Sequence, residues 1–104
     1  MSEIVRPGTP LCAAILSYCA PIEEIDRLMP AHGDWLRQLY AQDLIVVCGR
    51  REPRSGGVII CRGHRAEVEA LMASDPFLIE GVATTEVIEF VASMAHPSLA
   101  ELLA

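Results

Sequence analysis

LIVVCGRREPRSGGVIIC, residues 44–61, is the stretch that decides the fold. Two runs rich in β-branched residues, Leu44–Cys48 and Val58–Cys61, flank a segment carrying Pro53 and the Gly56-Gly57 pair. That composition reads as two strands joined by a hairpin loop over Arg50–Gly57, with Gly49 ending the first strand. Upstream, LCAAILSYC (Leu11–Cys19) is an apolar run of strand length between Pro10 and Pro21. Pro21 suits the first turn of a helix, and Ile22, Ile25, Leu28 and Met29 follow at helical spacing. Pro30 interrupts them, giving two helical pieces or one kinked helix, and Trp35, Leu36 and Leu39 carry the apolar stripe to about Gln42. Downstream of the hairpin, Ala66, Val68, Leu71 and Met72 suit a short amphipathic helix that Pro76 ends. A tight turn through Gly81 leads to a last strand, Thr84–Val91, and His96-Pro97 starts a final turn or two with Leu99, Leu102 and Leu103 on one side.

The order is βαββαβ, which predicts an α+β, ferredoxin-like domain: a four-stranded antiparallel sheet with two helices on one face. The 104 residues suit one such domain. It divides into an N-terminal arm (1–10), the domain itself (11–92) and a C-terminal extension (93–104). A sheet with one wet face should alternate apolar and polar side chains, yet LCAAIL, LIVVC and VIIC are apolar throughout. The uncovered face therefore predicts a homodimer or higher oligomer, sheet against sheet.

With 52% hydrophobic residues, 21% charged residues and a net charge of -6, the chain is globular and poorly suited to polyanions or anionic lipid. Residues 1–10 lack an apolar leader segment and no apolar run reaches membrane-spanning length, so a cytoplasmic protein is expected. Cys12, Cys19, Cys48 and Cys61 form no CxxC, and Cys61-x-x-His64 is a weak metal signal, so all four read as reduced thiols and no metal is expected. One asymmetry stands out: Arg50, Arg51, Arg54, Arg62 and Arg65 fall within sixteen residues containing a single acid, Glu52. That cluster is either an anion site or a solvated hairpin. Nucleic-acid binding through it is disfavoured by the acidic total and by the lack of interleaved aromatics.

Of the three histidines, His96 and His64 sit at predicted helix starts, where a capping or surface role is the default. His32 lies one turn before Trp35 and Leu36 on the same helical face, so its ring should point toward the sheet. Buried without a partner, it would cost about 1 to 3 kcal/mol. Asp75 is the leading candidate: at the end of the second helix the dipole disfavours a carboxylate by about 0.3 to 1 kcal/mol, so something else should hold it there. The residues alone leave open whether the two form a site or are merely a satisfied core histidine and a turn aspartate.

Taken together, Pro30-Ala31-His32 with Trp35-Leu36, Gly49, the Gly56-Gly57 hairpin, and Asp75-Pro76-Phe77 with Gly81 resemble the YciI-like (YCII-related) family over about Leu11 to Val91. The resemblance implies a dimeric α/β barrel and a site built on His32 and Asp75. Most members have no established reaction; a related dehydrochlorinase of chlorinated hydroxyquinols implies that such a pair can run an elimination. Family members often carry Arg before the Pro-x-His and Gly-Pro after the second strand, where this chain has Met29 and Gly49-Arg50.

Two functions follow. In one, the chain is a cofactor-independent lyase or proton-transfer enzyme acting on a small molecule: His32 is the base, Asp75 orients it, Arg50 or Arg51 holds an anionic group, and Trp35 and Phe77 contact substrate. No P-loop, dinucleotide fingerprint or nucleophile triad is present in the sequence. In the other, it is a non-catalytic dimeric ligand-binding or accessory module. An open, polar cavity at the His32 ring favours the first, a solvent-free packed ring the second.

Overall fold

The computed structural model describes residues 3–104, so the first two residues of the N-terminal arm lie outside the described part. Its elements are β1 (Pro10–Tyr18), α1 (Ile22–Ala41), β2 (Ile45–Arg50), β3 (Gly56–Arg62), α2 (Arg65–Met72), α3 (Pro76–Ile79) and β4 (Ala83–Val91), followed by a 3₁₀ turn at Pro97–Leu99. The strands form one antiparallel sheet in the order β2-β3-β1-β4. This is the α+β, ferredoxin-like arrangement expected from the element order.

Along β1, Cys12, Ala14 and Leu16 point to the helices and are buried, in the two-residue period of a pleated strand. Ile59 and Cys61 of β3, Ile45 of β2 and Val87 of β4 join them, and Ile25, Leu28, Trp35 and Leu39 of α1 close the core with Val68, Met72 and Phe77. The opposite sheet face carries Ala13, Ile15, Val58 and Ile60, half-buried, with Val47, Ile88 and Phe90 exposed. Leu103 covers only one end of that face, against Leu11 and Ala92. The arm and the extension meet each other: Val5 bridges Ala95, and Gly8 N–H donates to Ala92 O.

Several boundaries differ from the sequence reading. Helix α1 is continuous through Pro30, because that residue faces solvent, where water can satisfy the carbonyl one turn back that Pro30 cannot bond. Strand β2 does not stop at Gly49: Gly49 pairs with Val58 and Arg50 with Gly57, so the glycine pair belongs to β3 and the turn is confined to residues 52–55. Gly56 is glycine for lack of room, since a Cβ there would lie 1.8 Å from the Leu16 carbonyl oxygen on β1. The tight turn assigned after Pro76 contains a helical turn, α3, which changes the reading of Asp75. The residue caps the start of α3, accepting a 3.0 Å bond from Phe77 N–H, rather than burdening the end of α2. Pro76 at the first helical position is what permits this, having no N–H to satisfy.

All four cysteines are free, with Cys12 and Cys61 buried side by side as cross-strand partners. Burial, aided by the neighbouring Cys12 and Cys48 thiols, pushes the Cys61 thiol from the ordinary 9.0 up to about 12. The folded chain thus holds this proton more tightly than the unfolded one, and the associated stability is complete below pH 9 and lost as pH rises toward 12. Thermal melts should accordingly fall in Tm across that window, and Cys61→Ala should flatten the decline; an unchanged slope would refute it. Gly56→Ala should lower stability by about 3 kcal/mol, read as a lower urea midpoint, because two backbones must part to admit the methyl.

Candidate active site

His32 stands midway along α1, on a stripe with Leu28, Trp35 and Leu39 that faces inward. Its ring is 12% exposed, and Nδ1 lies 2.8 Å from Oδ1 of Asp75, whose side chain is fully buried. An ionised carboxylate only accepts, so in the neutral ring the tautomer that this contact favours carries its proton on Nδ1 and leaves Nε2 with a lone pair. The same Oδ1 takes the Phe77 N–H, while Oδ2 is buried without a protein donor. The imidazole is therefore the main compensation for burying this carboxylate.

Two further contacts fix the ring. Phe77, 1% exposed, stacks on it with centroids 4.1 Å apart and planes 11° from parallel. Trp35 lies tilted beside it, with centroids 5.7 Å apart, and donates from Nε1 to Ser74 Oγ at 2.9 Å. Since Ser74 precedes Asp75 in the chain, Trp35 ties α1 to the same junction that presents the carboxylate.

Beside His32 opens a cavity of about 360 Å³. Leu16, Tyr18, Cys48, Gly57 and Ile59 form its sheet side, and Met29, His32 and Leu36 its α1 side; Phe77 and the hairpin residues Arg50 and Arg54 complete it. The cavity is open as expected of an enzyme but its walls are mainly apolar rather than polar, with the His32 ring, Tyr18, Arg50 and Arg54 as the polar groups, a balance usual in small-molecule sites. Tyr40 donates to Cys48 Sγ at 3.4 Å; this bond, with burial, pushes the phenol up to about 12.

The six residues singled out from sequence are placed unequally. His32 and Asp75 are in contact; Phe77 and Arg50 line the cavity with His32. Trp35 and Arg51 are not among the lining residues. Arg51 donates to Ser17 Oγ at 2.9 Å and so ties the hairpin to β1, and Trp35 is a buried strut. The arginine cluster is likewise dispersed: Arg62 reaches the Asp43 carbonyl, and Arg65 lies near Glu69. His64 caps α2, with Glu67 returning a bond to its N–H, and His96 caps the 3₁₀ turn. The bonds that Glu89 accepts from Arg65 N–H and His64 hold its carboxyl below the usual range. Sequence reasoning missed Met29 and Leu36 as wall residues, although they lie three and four positions from His32 on its helix. It also missed Tyr18 and Cys48, whose orientation follows only once strand register is known.

Among the described residues no group of three or more His, Cys, Asp or Glu is arranged to hold a metal ion, and no helix is long and apolar enough to cross a membrane. No curated protein matches the chain. Among solved structures, it is similar to 5-chloro-2-hydroxyhydroquinone dehydrochlorinase (TftG) of Burkholderia phenoliruptrix AC1100, in complex with 2,5-dihydroxybenzoquinone. Identity is 21%, 75% of this chain and 90% of that one are covered, and the TM-score is 0.65, a likeness of fold. The YCII-related domain matches residues 12–91, from the third residue of β1 to the last residue of β4, and the chain belongs to that family.

Proposed function

We propose that this protein is a cofactor-independent enzyme that moves a proton on a small molecule held in the His32 cavity, with elimination as its reaction class. The observation that carries this reading is the position of the His32 ring, bonded to a buried carboxylate on one side and lining an open cavity on the other. An accessory module that merely packed its histidine would have no use for the second feature; a ligand-binding module would, and the turnover assay below separates it from an enzyme. Nε2 takes a proton from a substrate carbon or hydroxyl; the electron pair released forms a new double bond, and the leaving group departs with its own pair. Asp75 fixes the tautomer and stabilises the imidazolium that forms, and Phe77 keeps the ring from turning. Family membership and the fold shared with a dehydrochlorinase support a reaction of this class.

The first assay is chloride release from 5-chloro-2-hydroxyhydroquinone and related halogenated hydroxyquinols. His32→Asn keeps a donor near the Nδ1 position but removes the base, and Asp75→Asn keeps the α3 cap but removes the charge. Each should lower kcat about 10²- to 10⁴-fold while circular dichroism and Tm show a folded chain. Turnover that survives His32→Asn would dispose of the mechanism.

The open sheet face is covered by a second copy of the chain. Val47, Ile60, Ile15, Ile88 and Phe90 make an apolar patch, with Glu86 beside Ile15 on the same face, and such a patch suits a two-fold contact of like with like. Light scattering should give twice the chain mass of 11.3 kDa, and Ile88→Lys should return a monomer. A wild-type monomer at micromolar concentration would contradict it.

A further inference from the structure

The hairpin between β2 and β3 carries two guanidinium groups to the cavity, and they are held differently. Arg50 pairs with Glu52 two residues on, within the same hairpin, and its side chain is 73% exposed. Arg54 reaches out of the hairpin to α1, where Nη2 lies 2.7 Å from Asp26 Oδ1. Asp26, Met29, His32 and Leu36 succeed one another at spacings of three, three and four, so they share one helix face. The last three line the cavity, and Asp26 extends the row just beyond it. Arg54 therefore sits at the mouth, between a carboxylate outside and the space beside His32 within.

Among the described residues no Asp or Glu lines this cavity, although 14 of the 104 residues are acidic. The Asp26 carboxylate is more than half exposed, so its pairing with Arg54 is screened by water and weak. A carboxylate or enolate offered from inside the apolar cavity meets the same guanidinium in a less polar medium and in a geometry that admits two parallel bonds. We infer that Arg54 is the specificity-determining residue of the site: it exchanges Asp26 for an anionic group on the bound molecule, so the cavity selects small anions over neutral molecules of the same shape. This rests on the ligand cavity proposed above and names the charge of what enters it. Arg54, and not Arg51, is the hairpin cation concerned.

The test is calorimetric titration of the full chain with 4-hydroxybenzoate and 4-hydroxybenzamide, which are close in shape and differ by one charge. Wild type should prefer the benzoate by about tenfold. Arg54→Gln should abolish the preference, Arg54→Lys should keep part of it, and Arg50→Gln should keep most of it. Asp26→Asn, by freeing the guanidinium, should tighten benzoate binding about threefold and leave the benzamide unchanged. A preference that survives Arg54→Gln, or that disappears with Arg50→Gln instead, overturns the assignment and leaves the cavity standing as a ligand site. If neither probe binds wild type saturably and the His32 ring resonances do not move, the ligand cavity fails and this inference fails with it.

Discussion

The bond between His32 and Asp75 organises the helical layer of this protein. The two residues are 43 positions apart, one midway along α1 and the other in the short link between α2 and α3. Burying the carboxylate would be prohibitive without compensation, and its donors converge on a single oxygen. Replacing the imidazole by a side chain without a donor would therefore strand a charge, and the helices cannot slide without breaking the bond. Trp35 to Ser74 repeats the tie one turn further along α1, and the Phe77 stack closes it from above.

That economy constrains the aspartate twice. Its short side chain must reach back to Phe77 N–H to start α3, and the same oxygen must meet the histidine. Glutamate would overreach the cap and serine would lack the charge. Phe77 is constrained in the same double way, since its backbone supplies the capped N–H and its ring the surface on which the imidazole lies.

Much of this was legible in the chain because it rests on local signals. The β-branched runs at 44–48 and 58–61, the prolines and the helical spacing around Trp35 are each short-range, and together they define the order of elements. The inward direction of His32 followed from its spacing to Trp35 and Leu36. What was not legible depended on register. Gly56 and Gly57 look like turn residues in isolation and become strand residues only in the assembled sheet, where Gly56 lies against β1 and Gly57 against Gly49 of β2. The role of Asp75 was misjudged for a related reason: Pro76 announces the end of one helix and the start of the next equally well, and which reading applies depends on how Phe77 is buried. The wall residues Tyr18 and Cys48 needed the sheet to be assembled before their side could be known.

The turn at residues 52–55 touches little of the hydrophobic core, yet it delivers Arg54 to the mouth of the cavity. Foundation and doorway are thus built from separate stretches of chain. A change of length or charge in those few positions would alter which molecules are admitted without disturbing the imidazole and carboxylate behind them. On the function proposed above, a scaffold divided in this way can acquire new substrates by loop exchange alone, while its histidine and aspartate are inherited intact.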